Sequence, residues 1–491
     1  MTAARGVAAA GLLALCFCGC TVGPDYKKPV SAVPPEHRGL PPEQAARAEA
    51  ASFGDVAWWN AFQDEVLRDL IRTAIRQNYD VRIAADRILE AGAALGITQA
   101  DQVPSLAANA SGEKAQLPDS HLGPGFKANT LQVGLSFAWE LDFWGKFRRA
   151  TESARANLLA QEWARRQVIT SLVSDVANAY FALRELDLEL EISRETLASR
   201  TDSLRLTQLL EARGATSLLD VRQAEQLVFG AGAAIPDLEA RIEQQENFIS
   251  ILLGENPRPI TRGRKLTEQP HALEVPAGLP SSLLERRPDI RQAEQELIAA
   301  NAQIGVAISN YFPQIALTAS GGYQSSALNA LFTGPAAFWT LGASLLQPVF
   351  EGGRIRSGVR LTEAREDEAL WTYQKTVQQA FRDVADALIG YRKSQEVRAQ
   401  LEQLANAAGE ATKLSSMRYK GGATSYLEVL DSDTRYFAAQ LSLAQANLRE
   451  LESFVQIYRA LGGGWEPPQG EGIENGLGTQ VPGGPAFASP R

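Results

Sequence analysis

The 491-residue sequence predicts a mostly α-helical, internally duplicated fold that also contains membrane-type β-strands. First, the stretch "RGATSLLDVRQAE" from Arg213 returns 208 residues later as "GGATSYLEVLDSD" from Gly421. Second, long stretches with little glycine or proline carry apolar residues at alternating steps of three and four, which is the pattern of paired helices. Third, shorter stretches before them alternate apolar and polar residues, which is the period of a strand.

The overall composition excludes one class of partner. The chain is 45% hydrophobic, so it can bury a large core, and its net charge is -9. Proteins that bind phosphate backbones need an excess of lysine and arginine. We therefore expect no nucleic acid partner.

The first 19 residues have the layout of a secretory signal peptide. One early positive charge, Arg5, precedes an apolar run from Val7 to Phe17 that is too short to span a bilayer. The following "FCGC" resembles a bacterial lipoprotein signal, in which the peptidase cuts after a small residue. Gly19 is small, so Cys20 is the predicted lipidation site; the alternative is a plain signal peptide with incidental cysteines.

The residues after Cys20 favour the outer membrane. Thr21 stands where an aspartate would retain a lipoprotein at the inner membrane in enteric-type sorting. Because all three cysteines lie at positions 16, 18 and 20, the mature chain would keep one and could form no internal disulfide. A lipid chain on it would add about 0.8 kcal/mol of membrane binding per buried methylene.

The repeat sets the domain boundaries. "DVRIAADRILEAGAALGITQADQVPSL" from Asp80 parallels "DIRQAEQELIAANAQIGVAISNYFPQI" from Asp289. The sequence thus predicts a lipidated extended segment at 20–55, a first repeat at 56–254, a proline-rich connector at 255–287 and a second repeat at 288–464, followed by a flexible tail at 465–491. A period of about 200 residues is far longer than that of stacked repeat proteins.

Each repeat is predicted to contain a strand hairpin followed by a helix hairpin. The strands are expected at 104–116 and 128–142, then at 313–325 and 337–349. Strands of about ten residues cross a tilted membrane barrel. A soluble two-sided sheet is the alternative. Four strands cannot close a barrel, and open edges are not tolerated in hydrocarbon, so membrane-spanning strands would require a dimer or a larger ring.

The long helices are expected at 146–213 and 217–253 in the first repeat and at 354–420 and 425–461 in the second. A helix of 146–213 would be about 100 Å long if unbroken. Gly214 and Gly422 can adopt the left-handed conformation that ends a helix. Ser217 with Asp220, and Ser425 with Glu428, have the spacing of capping boxes that begin the next helix. Efficient turns alone would explain these residues.

The residue inventory argues against an enzyme. The only histidines are His37, His121 and His271, all in proline- or glycine-rich connectors. With one cysteine left after processing, neither a nucleophilic triad nor a histidine–cysteine metal site can be built. We therefore expect no catalytic residues, no metal and no cofactor.

Several stretches together resemble the TolC-like outer-membrane efflux protein family, and within it the lipoprotein branch of OprM and NodT type. They are "CTVGPDYKKP", "WWNAFQDEVLRDLIRTAIRQNYDVRIAADRILEA", "LSFAWELDFWGKFRRA", "GATSLLDVRQAE", "RRPDIRQAEQELIAANAQIGVAISNYFPQIALTASGGY" and "LGGGW". The resemblance covers both repeats in order and nearly everything before the tail after Trp465.

The resemblance implies a homotrimer in the outer membrane. Three chains would contribute four strands each to a 12-stranded β-barrel, and their long helices would form a periplasmic α-barrel. The implied partners are a periplasmic adaptor protein and an inner-membrane efflux transporter, and the implied cargo is small molecules. Type I protein secretion is the competing function. A structural coiled-coil lipoprotein would explain the helices and the lipid but not the alternating strands.

The resemblance also implies site residues at the two tips, which would lie at the periplasmic end. Glu428 and Asp431 match acidic residues that ring the aperture, and such a ring selects cations. Tyr419 and Asp220 match two members of a latch, whereas its basic position is Thr424 here; Arg435 is the candidate replacement. The tip residues expected to contact the adaptor are Gly214, Ala215, Thr216, Gly421, Gly422, Ala423 and Thr424. Which compounds are exported cannot be read from the sequence.

Overall fold

The computed structural model describes residues 21–38, 52–116, 127–269, 277–278 and 280–465. The predicted signal peptide, Cys20, and all of the tail after Trp465 lie outside these residues, as do His121 and His271. The described residues within Met1–Ser31, Ala85–Ala164 and Asp289–Val377 form one compact unit, and those within Ala32–Ala84, Arg165–Pro288 and Gln378–Arg491 form a second. Each unit draws on both sequence repeats.

Apart from one additional long helix at the start of the first repeat, the elements follow the same order in both repeats. In the first, α1 (Glu65–Gln77) and α2 (Tyr79–Ala100) precede β1 (Ser105–Gln116), β2 (Lys127–Glu140), α3 (Lys146–Ala212) and α4 (Leu218–Leu252). In the second, α5 (Pro288–Ser309) precedes β3 (Gln314–Ser325), β4 (Ala337–Leu346), α6 (Arg354–Lys420) and α7 (Tyr426–Ala460). Helices α3 and α6 each have 67 residues, which corresponds to about 100 Å. The mostly helical, duplicated fold with four strands is confirmed.

The first unit contains one antiparallel sheet in the order β1-β2-β3-β4. Its register places Leu135 of β2 opposite Gly321 of β3, which in turn lies opposite Trp339 of β4. Because alternate residues of a strand face opposite sides, one face carries the large apolar side chains and the other carries mainly small and polar ones. Glycine is required between β2 and β3: a Cβ on Gly322 would lie 2.2 Å from the carbonyl oxygen of Val133.

The N-terminal segment is fastened to the same unit. The amide of Val22 donates to the carbonyl of Trp144 at 3.1 Å, and the buried guanidinium of Arg149 reaches Asp25 at 2.6 Å. Gly23 passes so close to helix α5 that a Cβ on it would lie 2.5 Å from the Cα of Gly305. Residues 21–25 are therefore held in one register.

The second unit has a large apolar core around Trp58, Tyr180 and Tyr458. Asp64 caps the start of α1 and accepts hydrogen bonds from the hydroxyl of Tyr180 at 2.9 Å and the amide of Gln269 at 3.0 Å. Burial opposes ionisation of Asp64, but these hydrogen bonds outweigh it and lower its pKa. Within the described ranges every helix is too short or too polar to cross a membrane.

Candidate functional site

The first tip is the turn between α3 and α4. Gly214 has a φ of 72° and follows the end of α3, and the amide of Ala215 donates back to the carbonyl of Leu210 at 2.9 Å. This left-handed glycine closes the helix by satisfying carbonyls that would otherwise have no partner. An added Cβ on Gly214 would meet nothing within 4 Å, so only backbone conformation requires glycine here.

A capping box begins α4, as the sequence predicts. The amide of Asp220 donates to the hydroxyl of Ser217 at 3.3 Å, and the amide of Ser217 donates to the Asp220 carboxylate at 3.2 Å. Two otherwise unpaired backbone donors are thereby satisfied. The Asp220 carboxylate is therefore occupied by hydrogen bonding within the first turn.

The second tip, between α6 and α7, has the same backbone but a different cap. Gly422 has a φ of 71°, and the amide of Ala423 donates to the carbonyl of Arg418 at 2.9 Å. The predicted capping box of Ser425 and Glu428 is wrong, because Ser425 makes no side-chain cap hydrogen bond. The Glu428 carboxylate lies 3.7 Å from the Arg418 guanidinium instead. The residue that matches Arg418 in the first tip is Leu210, which offers no cation.

The predicted gate carboxylates share one exposed face of α7. The side chains of Glu428 and Asp431 are 48% and 59% exposed, and Asp431 pairs with Arg435 one helical turn later at 3.0 Å. Residues three and four apart lie on the same side of a helix. Glu428, Asp431 and Arg435 therefore form one charged stripe in which both carboxylates lie beside an arginine.

The predicted latch residues are brought together only in part. The hydroxyl of Tyr419 lies 3.4 Å from the hydroxyl of Thr216, which donates to the Asp220 carboxylate. Thr216 thus bridges Tyr419 and Asp220. Arg435 does not join this group, because its guanidinium is bonded to Asp431 on its own helix. Thr424 is partly buried in the second turn.

An aromatic contact within the second tip lies against the first tip. The rings of Tyr419 and Tyr426 lie edge to face with centroids 5.3 Å apart. Tyr426 is buried with Val429 and Ala224, which lies on α4, so it joins the second tip to the first. Burial, with Asp433 and Tyr419 nearby, raises the pKa of Tyr426 to about 12. The phenol therefore stays neutral at physiological pH.

Two contributors to the site are not evident in the sequence. The sequence places Thr216 among the tip residues expected to contact the adaptor, whereas its bridging position depends on residues 203 positions apart. No motif marks Arg418, although it directly precedes Tyr419 and its guanidinium lies 3.7 Å from Glu428. Its position in the last turn of α6 is the only sequence signal that could have found it.

The strands and helix hairpins together define a class of protein. A sheet with one apolar face, joined to helices of about 100 Å, has the parts of a channel that crosses a membrane and continues well beyond it. The sequence profile of the outer membrane efflux protein family matches residues 70–255 and 279–463. The chain belongs to this family, and the predicted resemblance is confirmed.

Individual relatives match over nearly the whole chain. The solvent efflux pump outer membrane protein SrpC of Pseudomonas putida is 37% identical over 463 residues, covering 92% of this chain and 97% of SrpC. The cation efflux system protein CusC of Escherichia coli O6:H1 is 32% identical, covering 92% of this chain and 98% of CusC.

A solved structure of the outer-membrane channel OprN superposes with a TM-score of 0.84 at 31% identity, covering 91% of this chain and 100% of that chain. The prediction of an outer-membrane efflux channel is confirmed.

Proposed function

We propose that this chain forms, as a homotrimer, the outer-membrane channel of a tripartite efflux system that receives small molecules from an inner-membrane transporter and a periplasmic adaptor. The open four-stranded sheet is the observation that supports a trimer. Its order leaves the outer edges of β1 and β4 without a strand partner among the described residues. Edges in hydrocarbon must be paired, and three copies supply the twelve strands that close one barrel.

The apolar face of the sheet supports its contact with lipid. Trp339 and Leu341 of β4 are 80% and 78% exposed in the single chain, and Leu345 continues the same face. Their cross-strand neighbours on β3 are Gly321, Ala319 and Ile315. A continuous exposed apolar surface of this kind is favourable in a bilayer and unfavourable in water.

The opposite face supports a polar bore. Thr340 and Ser344 of β4 alternate with the apolar residues, and the hydroxyl of Thr340 hydrogen-bonds that of Ser320 at 2.6 Å. The register places Glu113 of β1 and Glu140 of β2 on this same face. The bore would therefore carry acidic groups as well as hydroxyls, and the exposed Glu428 and Asp431 at the tips would be a second place where charge acts on the cargo.

The cargo is set outside this chain. SrpC is described as a solvent efflux protein and CusC as a cation efflux protein, although both are similar to this chain over nearly its whole length. The same architecture in relatives with such different printed cargo suits a passive conduit whose pump selects the substrate, and we propose that the chain performs no chemical conversion. We also propose that Cys20 is lipidated and that the tip residues at 214–216 and 421–424 contact the adaptor.

A matched pair of substitutions on β4 tests the channel. Leu341→Lys places a charge on the lipid-facing side and should cost about 2–4 kcal/mol per chain, so the amount of trimer in the outer membrane should fall sharply. Thr340→Lys, one residue earlier, places the same charge in the bore. It should leave the trimer intact and reduce cation conductance in planar bilayers.

The outcomes separate the competing functions. Equal loss of trimer in both variants would contradict the assignment of the two faces. A parental protein that forms trimers but carries no current would favour a structural lipoprotein. Restored export of a secreted protein, with no change in the sensitivity of a deletion strain to toxic small molecules, would favour type I secretion.

A further inference from the structure

A buried ion pair connects three helices below the tips. Arg200 of α3 is 6% exposed, and its Nε lies 2.7 Å from the carboxylate of Asp433 on α7, which is itself only 17% exposed. The same guanidinium donates to the carbonyl of Leu227 on α4 at 3.1 Å and lies over the ring of Phe437 on α7 at 5.0 Å. One side chain of the first repeat thus contacts α4 of its own helix hairpin and α7 of the second repeat's helix hairpin.

Asp433 lies on the helix that carries the predicted gate carboxylates, but on another face. Tyr426, Val429, Asp433 and Phe437 follow one another at steps of three and four and face the first repeat. Glu428, Asp431 and Arg435 follow the same steps two residues out of phase and are exposed. Two residues rotate a helix by about 200°, so the two stripes lie on nearly opposite sides of α7.

Moving α7 away from α3 would separate the two charges of a buried ion pair before water could solvate them. A buried guanidinium keeps its favourable energy only while a carboxylate and hydrogen-bond acceptors surround it, and losing one partner leaves an uncompensated charge. Arg200 has Asp433, the carbonyl of Leu227 and the ring of Phe437, and all three sit within one arrangement of the helices. Displacement of α7 breaks two of these contacts together.

We propose that Arg200 is a positioning residue of the gate: by holding Asp433 it keeps α7 packed on the first repeat and so sets where Glu428 and Asp431 project. The pair lies eight residues beyond Ser425, about 12 Å along the helix from the turn, and its hydrogen bonds are separate from those of the Tyr419–Thr216–Asp220 group. The proposal rests on the proposed channel function and deepens it.

The test is the open fraction of single channels in planar bilayers, measured for Arg200→Met. This change keeps the length of the side chain and removes its charge. We expect the open fraction to rise about tenfold while the amount of trimer is unchanged, because Asp433 loses its buried partner and no longer holds α7 in place. The matched control is Arg205→Met, because Arg205 is an exposed residue of the same helix whose one ion-pair partner among the described residues is Asp202.

Reversal of the pair provides the readout that a merely structural role would not give. Arg200→Asp and Asp433→Arg should each raise the open fraction, and the double variant should bring it back toward the parental value. If Arg200→Met yields too little trimer, Asp433→Asn keeps the contacts of Arg200 with Leu227 and Phe437 and serves instead.

An unchanged open fraction in an intact Arg200→Met trimer, or an equal rise in Arg205→Met, would overturn the proposal. So would a double reversal that opens as much as either single one. A parental protein without any current would instead refute the channel function on which the proposal rests.

Discussion

The two helix-hairpin tips have nearly the same backbone and use their acidic residue in opposite ways. Gly214 and Gly422 have φ values of 72° and 71°, and each is followed by an amide that closes the preceding helix at 2.9 Å. In the first tip Asp220 bonds back to its own turn. In the second, Glu428 leaves Ser425 uncapped and extends toward Arg418.

This difference shows which parts of a duplicated unit can diverge. The turn depends on glycine at one position, because most other residues adopt that backbone only with strain. The carboxylate at the third position of the next helix is not required for the turn, because the second tip forms the same turn without a side-chain cap. One copy therefore keeps its carboxylate for stability, and the other leaves it half-exposed beside Arg418.

The largest expected effect separates the two acidic positions by function. Replacing both Glu428 and Asp431 by alanine should raise the divalent cation concentration that halves the current by about tenfold or more, equivalent to about 1.4 kcal/mol of binding. Asp220→Ala should leave this block unchanged, because its carboxylate is held within the first turn. Titration of the current with a divalent cation measures the block in both variants. If the double variant is blocked as strongly as the parent, the two acidic positions do not differ in function.

The next effect tests whether the two turns are equivalent. Gly214→Ala and Gly422→Ala should each destabilise the protein by about 1 kcal/mol, because alanine is strained at positive φ. Neither added methyl group would meet another atom within 4 Å, so the two costs should be equal. Thermal unfolding of the purified variants followed by circular dichroism gives the answer. A clearly larger cost at one tip would mean that the turns differ beyond their backbone.

A smaller effect compares the two caps directly. Asp220→Ala removes one half of a capping box and should lower the stability by about 0.5–1 kcal/mol. Glu428→Ala removes only an exposed ion pair and should change it by less than about 0.5 kcal/mol. The same unfolding measurement applies, with Glu410→Ala, another exposed ion-pair residue, as the control. The reverse order of the two costs would show that Glu428 caps its helix after all.

The smallest effect concerns the contact between the tips. Tyr419→Phe deletes the hydroxyl that lies 3.4 Å from Thr216, a long hydrogen bond. We expect the open fraction to rise only about twofold, equivalent to about 0.4 kcal/mol. Cation selectivity should stay as in the parent, since no charge changes. A shift in selectivity would mean that the phenol contacts the permeating ions.

The parts of the fold that depend on local chemistry could be predicted from the sequence. Positive φ at Gly214 and Gly422 follows from a glycine placed just after a long helical pattern. The faces of the sheet follow from alternation along β2 and β4, because a strand repeats every two residues. The repeat then extends each local prediction to its second copy.

The rest depends on how side chains meet across a turn or between packed helices. Nothing near Ser425 indicates that Arg418, at the end of the preceding helix, will draw Glu428 away from the cap. Arg200 and Asp433 are 233 positions apart, and each looks like an ordinary charged residue on a helix surface. Their burial follows only from how the two hairpins pack, which spacing within one helix does not specify.

The fastened N-terminal segment has a consequence for how the protein reaches its membrane. The side chain of Thr21 packs against Gly145, where an added Cβ would lie 2.8 Å from the threonine methyl group, and Gly145 follows β2 closely. A lipid on the neighbouring Cys20 would thus be tethered with almost no slack beside the foot of the sheet. A short tether between the lipid and the sheet raises the effective concentration of the strands at the membrane that holds the lipid. If the acyl chains enter the bilayer first, they would therefore hold the strands at its surface. The strands could then insert without a second diffusional encounter with the membrane.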